Sequence, residues 1–227
     1  MTSCGNCVEA GAMADKVFLL SPANLSGQRA RQLTSPRAKF EAARMYQSAE
    51  GVPIALAFAF MSALYFRGKI AYALQFAEPA DIFVIAPGFG LVPPAWRITP
   101  ERMKVLARTE VDVRKRNYRK PLERDALQLA ERLNDAAQVV LLGSVASGKY
   151  VDILWPIFGE RLMFPAMFAG LGDMSRGGLL LRAARANREL EYTSLAAPRH
   201  KHEAGDPVEL ARAWARMHSY PMGPKRE

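Results

Sequence analysis

Residues 139–154 combine the residue types that bind anions. An apolar run at 139–142 predicts a buried strand, a glycine-bounded turn follows at 143–149, and a helix is predicted from Val151. This order leaves unpaired backbone N–H groups and the positive end of a helix dipole at one place. We therefore expect an anion or a polar ligand to bind there. The side chains that could contact it are Ser144, Ser147, Lys149 and Tyr150.

The same turn differs by one residue from a phosphate-binding P-loop. Gly143, Gly148 and Lys149 satisfy the spacing G-x-x-x-x-G-K, but Tyr150 stands where the hydroxyl of a Ser or Thr would hold Mg²⁺. The apolar run at 82–86 ends in Pro-Gly and not in an aspartate that could complete a magnesium site. The spacing therefore favours a polar binding site over an ATPase, and we predict neither a metal site nor a cofactor.

The composition is that of a soluble globular protein. Half of the 227 residues are apolar and 23% are charged, which suits one domain with a substantial core. The longest apolar stretch, at 52–66, is shorter than the roughly 18 residues of a membrane span, and no secretory signal pattern is present. We therefore expect no membrane partner.

Cys4 and Cys7 form a lone C-x-x-C pair, so a reducing cytoplasm is the expected compartment, and the role of the pair is left open.

The chain carries a formal net charge of +9, with arginines clustered at 29–31, 114–124 and 176–188. Such a surplus attracts polyanions whatever their sequence, because phosphate contacts release bound counterions. Solvated helix faces in a chain that prefers arginine would give the same surplus. The charge by itself therefore leaves nucleic-acid binding open.

Apolar strands alternate with helices along the chain. The predicted strands are 16–20, 81–86, 138–142 and 161–164, and the predicted helices are 37–50, 54–65, 70–76, 121–133 and 179–188, with a further short helix beginning at Thr99-Pro100. The alternation predicts an α/β fold, with a mostly parallel central sheet flanked by helices, in a single domain with a polar C-terminal tail. We expect a disordered leader over residues 1–15, the α/β domain over 16–195, and a basic tail over 196–227 that allows a short helix.

Three loops with unusual sequences directly follow predicted strands, at 21–24, 87–94 and 143–149. Parallel sheets bind their ligands beyond the carboxyl ends of the strands, and glycines permit close backbone approach there. We expect these loops to form one polar, glycine-walled cleft. The alternative is that 87–94 is only a rigid connector.

Taken in order, the loop sequences resemble the peroxide-stress protein YaaA family and a related family of small nucleic-acid-associated domains of unknown function. The similarity spans residues 16–192, nearly all of the expected domain. The segments that carry it are Leu20-Ser21-Pro22-Ala23, Phe66-Arg67-Gly68-Lys69 with Tyr72, Phe89-Gly90-Leu91-Val92-Pro93-Pro94, Leu142-Gly143-Ser144 with Tyr150, and Gly172-Asp173-Met174-Ser175-Arg176.

This resemblance implies a cytoplasmic protein that contacts DNA or a nucleobase-containing ligand and supports tolerance of oxidative stress. The chain departs from the family in being shorter between Tyr72 and Asp81, and in having Pro93 where an arginine is usual. The helix-hairpin-helix through which the family contacts DNA is therefore not carried over to this chain.

Two functions follow from these observations. The first is a nucleic-acid-binding stress protein, with cationic side chains on phosphates and tyrosines stacked on a base. The second is an enzyme that processes a nucleoside, a nucleotide or a modified base, with Asp173 or Glu160 as acid or base and Lys149 activating a hydroxyl if its pKa is depressed. All three histidines follow residue 199, so a Ser-His triad is not expected.

The predicted ligand-binding residues are Ser21, Asn24, Tyr65, Arg67, Lys69, Gly88, Gly90, Ser144, Ser147, Lys149, Tyr150, Asp173, Ser175 and Arg176.

Overall fold

A computed structural model describes residues 15–145 and 148–194 of the chain. The expectations about the leader, the Cys4–Cys7 pair and the basic tail lie outside these residues, and so does Ser147. No helix in the two described ranges is long and apolar enough to cross a membrane.

The described residues form eight strands and eight α-helices. The strands are β1 (Lys16–Leu20), β2 (Val52–Pro53), β3 (Ile82–Ala86), β4 (Gly90–Val92), β5 (Arg97–Ile98), β6 (Gln138–Leu142), β7 (Leu162–Pro165) and β8 (Tyr192–Ser194). The helices are α1 (Gln28–Thr34), α2 (Glu41–Gln47), α3 (Ile54–Met61), α4 (Leu64–Phe76), α5 (Pro100–Arg108), α6 (Arg116–Arg132), α7 (Val151–Phe158) and α8 (Asp173–Arg185).

Six strands form one mixed sheet in the order β4-β3-β1-β6-β7-β8. The four central strands run parallel, whereas β4 and β8 pair antiparallel at the two edges. The predicted fold class, a mostly parallel α/β sheet, is confirmed. Strands β2 and β5 form a separate antiparallel pair.

Strand β1 lies in the middle of the sheet and pairs with β3 on one side and β6 on the other. Four consecutive residues, Val17 to Leu20, are at most 1% exposed. Because neighbouring residues of a strand point to opposite faces, both faces of the sheet must be covered here, and a continuous apolar run is the sequence signature of such a strand. The carboxyl ends of β1, β3 and β6 consequently meet at one edge, where Ser21 follows β1 and Gly143 follows β6.

Helices α4 and α8 approach until their backbones touch. A Cβ atom on Gly68 would lie 2.6 Å from the carbonyl oxygen of Gly177, and one on Gly177 would lie 2.8 Å from the carbonyl of Leu64 and from Cα of Tyr65. Only glycine leaves room for this contact. It holds the face of α4 that carries Tyr65 and Lys69 against the first turns of α8.

This contact explains two wrong boundaries in the sequence prediction. The expected break at 66–69 lies inside α4, and the chain breaks earlier, at Ala63, whose φ is +48°. The helix predicted at 179–188 begins six residues earlier, at Asp173, with Gly177 buried in α8. A glycine needed for close helix packing cannot be told from a loop glycine by sequence alone. The glycines at 68 and 177 were therefore wrongly placed outside helices.

The segment 87–94 is also more regular than predicted. Gly90–Val92 forms edge strand β4, which pairs with β3 through a tight turn in which Phe89 N donates to the Ala86 carbonyl at 2.9 Å. Gly88 has φ +85°, which the turn requires. A strand of three residues is too short to show alternation, which is why the sequence predicted only a loop or a rigid connector.

The remaining helix ends differ from the prediction by several residues. Helix α2 is shorter than the expected 37–50, and α6 begins five residues before Pro121, which lies inside it. The predicted start of α5 is confirmed, because Thr99 Oγ1 accepts from the Arg102 N–H and Pro100 is the first helical residue.

Candidate functional site

A fully buried lysine lies at the carboxyl end of the central strand. Lys69, on α4, is 1% exposed, and its Nζ donates to the Ser21 carbonyl oxygen at 2.7 Å and to Ser21 Oγ at 2.9 Å. Tyr65 lies one helical turn earlier on the same face, and Nζ is 4.2 Å from the centre of its ring. The ammonium-bearing side chain therefore connects α4 to the end of β1.

Ser21 is held in place by the strand on its other side. Its N–H donates to the Leu142 carbonyl at 3.2 Å, which extends the pairing of β1 with β6 by one residue. A Cβ atom on Gly143 would lie 2.9 Å from Ser21 Cβ. Gly143 therefore makes room for the Ser21 side chain. The P-loop spacing had indicated a different role for this glycine, in phosphate binding.

Helix α8 contributes an arginine and an aspartate. Arg176 Nε and Nη2 donate to the Phe168 carbonyl at 3.2 and 3.1 Å, and this fixes the plane of the guanidinium. Arg176 Nη1 is 3.7 Å from Asp173 Oδ1. The Arg176 side chain is only 13% exposed whereas Asp173 is 71% exposed, so the arginine faces the interior and the aspartate faces solvent.

The pKa values show that these groups act on one another. Burial lowers the pKa of Lys69 from 10.5 to about 7; the negative charge of Asp173 opposes this fall and the positive charge of Arg176 adds to it. Burial raises the pKa of Tyr65 to about 12, against the influence of Arg176. Burial also raises the pKa of Tyr150 to about 12, and Tyr65 adds to that rise.

We call this group the Lys69 cluster. Its members come from four segments that are distant in the chain, and each touches or electrostatically influences another member. They are Ser21, Tyr65, Lys69, Tyr150, Asp173 and Arg176. Six of the fourteen predicted ligand-binding residues are thus brought together.

One polar hydrogen of the cluster has no protein acceptor. Tyr65 Oη is buried and donates to no residue that the structure describes, while the Arg176 guanidinium beside its oxygen opposes the rise of the Tyr65 pKa through a hydrogen bond. A buried hydroxyl left without an acceptor costs about 1–3 kcal/mol. A bound ligand that accepts from Tyr65 Oη would recover this energy, so the hydroxyl marks the side of the cluster where a ligand would be recognised.

The cluster is closed and not the open cleft that the sequence predicted. Ser21, Tyr65, Lys69 and Tyr150 are all buried, and the solvent-facing part consists of the first turn of α8. Ser175 is exposed in that turn, and so is Met174, which is 65% exposed and is one of the few large apolar side chains on the surface. The expected contact of Ser175 with a ligand stays a prediction.

Three other predicted residues lie at the surface near these elements. Asn24 is exposed, and its Oδ1 accepts from the N–H and the hydroxyl of Ser26, which closes a local turn. Arg67 is exposed, and its Nε donates to the Ala63 carbonyl at 3.1 Å. Ser144 is half-buried in the turn after β6. Their observed contacts are local to the backbone beside them.

The hairpin glycines face different neighbours. A Cβ atom on Gly88 would lie 2.7 Å from Thr109 Oγ1, and one on Gly90 would lie 2.1 Å from Asp125 Oδ2. Asp125 also accepts from the Leu91 N–H at 2.9 Å. Both glycines therefore serve the packing of the β3–β4 hairpin on α5 and α6. Of the three loops expected to converge, those after β1 and β6 meet at the Lys69 cluster.

The strand and the helix predicted before and after Lys149 are present as β6 and α7, and a carboxylate lies against the described part of the turn between them. A Cβ atom on Gly148, whose φ is +66°, would lie 2.7 Å from the Asp152 carboxylate, which places a negative charge against the turn. Lys149 is exposed and lines a cavity of about 470 Å³ together with residues 110–114, among them both partners of the Asp112–Arg114 ion pair. Lys149 thus faces a surface of mixed charge.

The structure also separates Glu160 from the cluster. Glu160 is exposed in the turn that precedes β7. Because β7 runs parallel to β6, its beginning lies at the edge of the sheet opposite to Ser21 and Gly143. Glu160 is therefore not placed to serve as acid or base for a ligand at the Lys69 cluster, whereas Asp173 is.

Sequence reasoning missed the contact between Ser21 and Lys69 and the role of Phe168. The contact joins residues 48 positions apart, and Phe168 acts through its backbone carbonyl, which has no sequence signature. One signal was available for Lys69, since it lies within an apolar helical stretch on the same face as Tyr65 and Tyr72.

Comparisons of the chain with protein-family models, with curated proteins and with solved structures found no match.

Proposed function

We propose that the protein binds a nucleotide, free or as a unit of single-stranded nucleic acid, at the Lys69 cluster, and that it does so in the cytoplasm as part of a response to peroxide stress. The observation that carries the proposal is the buried Tyr65 hydroxyl, which has no acceptor among the described residues and lies beside the buried Lys69 and the partly buried Arg176. None of the ion pairs in the described part of the chain includes Lys69. An anion with acceptor oxygens would satisfy all three groups.

Arg176 is prepared to bind a phosphate. Its guanidinium is fixed by the Phe168 carbonyl through Nε and Nη2, so the Nη1 edge remains for an anion. Asp173 Oδ1 lies 3.7 Å from Nη1, and the exposed Asp173 side chain can turn away into solvent. A rigid guanidinium loses little entropy on forming charge-assisted hydrogen bonds, which are stronger than neutral ones.

The surroundings of the cluster suit the base of a nucleotide. Tyr65 and Tyr150 have ring faces on which a base can stack, once the first turn of α8 admits it. Met174 offers an exposed apolar side chain in that turn, and methionine adapts readily to flat ligands. Phosphate recognition and base contact would thus occur on neighbouring residues.

The cations in and just before α6 are largely paired with carboxylates, which favours a small ligand over a long duplex. Of the cations at 114–124, four lie within 4 Å of a carboxylate, namely Arg114, Lys115, Arg119 and Arg124. Local pairing reduces the field that this surface presents to a polyanion. The net charge therefore contributes less to duplex binding than the arginine count implied.

A second candidate is an enzyme that processes such a nucleotide. The 2.9 Å contact between Lys69 Nζ and Ser21 Oγ favours it, because an amine beside a hydroxyl in a buried site is an arrangement that activates nucleophiles.

The proposal is tested with a panel of nucleotides, nucleosides and nucleobases in thermal-shift assays, and with single- and double-stranded oligonucleotides in fluorescence anisotropy at two salt concentrations. We expect a nucleotide to raise Tm by mass action, and we expect Arg176→Met to weaken its binding about 10- to 100-fold through loss of a charge-assisted hydrogen bond.

Arg185→Met is the matched control, since it removes the same charge from the exposed last turn of the same helix and should leave affinity nearly unchanged. The proposal fails if no member of the panel raises Tm and no oligonucleotide binds at low salt. It also fails if the two arginine variants weaken binding equally.

A further inference from the structure

We propose that Ser21 is a nucleophile toward phosphate esters and that Lys69 is the base that accepts its proton. This inference rests on the proposed nucleotide binding, to which it adds a reaction. It assigns the activation of a hydroxyl to Lys69 and not to Lys149, for which the sequence had suggested that role.

The geometry of the pair is suited to proton transfer. Lys69 Nζ lies 2.7 Å from the Ser21 carbonyl oxygen, which can only accept, and 2.9 Å from Ser21 Oγ, which can donate or accept. A neutral amine can donate one hydrogen to the carbonyl and use its lone pair to accept the Ser21 hydroxyl proton. Both observed contacts are then satisfied by the form of lysine that acts as a base.

The surroundings of Lys69 favour that neutral form. The rings of Tyr65 and Phe66, whose centres lie 4.2 and 5.1 Å from Nζ, help to bury the amine, although their faces attract the ammonium. Charged neighbours come from α8, where Arg176 disfavours the ammonium and the exposed Asp173 favours it. Before α7, Tyr150 lies against Ser21: burial and Tyr65 raise the Tyr150 pKa, and a hydrogen bond with Ser21 opposes that rise. Burial prevails over Asp173, so the pKa of Lys69 falls to about 7 and a large fraction of the amine is neutral near that pH.

Both residues of the pair are buried, Ser21 slightly less than Lys69. Ser21 is 5% exposed and Lys69 is 1% exposed. Gly143 leaves the Ser21 side chain its space, and Tyr65 Oη has a hydrogen available for an ester oxygen. A purely structural lysine needs none of these features, because an ordinary carbonyl acceptor would suffice to anchor it.

The reaction is a displacement at phosphorus in two steps. Ser21 Oγ forms a bond to phosphorus while the bond from phosphorus to the departing ester oxygen breaks, and the Ser21 proton passes to Lys69 Nζ and from there to the leaving alkoxide. The oxygen of a water molecule then forms a bond to the phosphorus of the phosphoserine while the bond from phosphorus to Ser21 Oγ breaks. Lys69 Nζ accepts a proton from that water and returns it to Ser21 Oγ. The products are an alcohol and a phosphate, and the only co-reactant is water.

The test uses a fluorophosphonate probe, which presents an electrophilic phosphorus with fluoride as leaving group. The full chain is incubated with the probe between pH 6 and pH 9, and the modified residue is identified by mass spectrometry of peptides. We expect an adduct on Ser21 whose rate of formation rises with a midpoint near the Lys69 pKa of about 7. General-base assistance of this kind contributes about 10²–10⁴-fold, so Lys69→Met should slow labelling by at least about 100-fold.

The controls separate chemistry from folding. Ser21→Ala should abolish the adduct, Lys69→Arg should be as slow as Lys69→Met because a guanidinium stays charged, and Lys104→Met, at an exposed site on α5, should label like the wild type. Tm is recorded for every variant, and the pH profile of the wild type tests the pair even if a Lys69 variant does not fold. A folded wild type whose Ser21 stays unmodified, or whose labelling rate is independent of pH, overturns the inference. Nucleotide binding measured in the same samples shows whether the proposed function fails with it or stands without it.

Discussion

We expect the unfolding free energy of the wild type, relative to that of a Lys69→Met variant, to rise by about 2–3 kcal/mol as the pH is raised from 7 to 9. Burial lowers the pKa of Lys69 in the folded protein from 10.5 to about 7. Between these two values the unfolded chain binds a proton that the folded protein has released, so raising the pH favours folding. Below pH 7 both states hold the proton, and the difference between the two proteins should no longer vary.

Chemical denaturation at pH 6, 7, 8 and 9 measures this effect, and each variant is compared with wild type at the same pH. Methionine has a similar volume and no charge, and its lost hydrogen bonds to Ser21 add a difference that is constant with pH. Lys104→Met, the same exchange at an exposed position, should show no comparable rise. If the difference in unfolding free energy between wild type and Lys69→Met does not change from pH 7 to pH 9, then burial does not lower the pKa of Lys69.

Replacing Gly177 with alanine is expected to destabilise the protein by about 2 kcal/mol or more and to weaken nucleotide binding. The new Cβ would lie 2.8 Å from the carbonyl carbon and oxygen of Leu64 and from Cα of Tyr65, and these backbone atoms cannot move aside by changing a rotamer. Helix α8 must therefore move away from α4, which separates Arg176 from Tyr65 and Lys69. Denaturation curves and the nucleotide titration measure the two effects.

Gly178→Ala is the matched control on the adjacent residue of α8. Its Cβ would meet only the flexible end of Arg182, at 3.3 Å, and alanine favours a helix over glycine by about 0.8–1.0 kcal/mol. We expect this variant to be as stable as wild type or slightly more stable, and to bind normally. Equal losses in the two alanine variants would contradict the close contact of α4 and α8.

The central strands could be predicted from sequence because their physics is local in the chain. The apolar runs of β1, β3 and β6 are continuous, as strands buried on both faces require, and their order with intervening helices fixes a parallel sheet. The Thr99-Pro100 start of α5 was likewise visible, since both its cap and its first residue are sequence neighbours. Which loops lie at the carboxyl edge followed from the same reasoning.

The function of individual glycines and of Lys69 could not be predicted in this way. Glycine is required at positions 68, 177 and 143 because another segment occupies the space beside each of them. A single sequence does not show which segment that is. Lys69 was predicted as a ligand-binding residue between two helices, whereas it is buried inside α4. Six of the fourteen residues predicted for the site meet in the Lys69 cluster, and their contacts depend on how α4, α8 and the ends of β1 and β6 pack together.

NMR titration of side-chain ¹³Cε-labelled lysine, with and without the panel nucleotide that gives the largest rise in Tm, tests most directly that a nucleotide binds at Lys69. We predict one lysine signal, missing from Lys69→Met, that titrates near pH 7 in the free protein and at a higher pH in the complex, because a phosphate beside the amine favours its charged form. A spectrum in which every lysine titrates above about pH 9, or in which the bound nucleotide leaves the Lys69 midpoint unchanged, would contradict it.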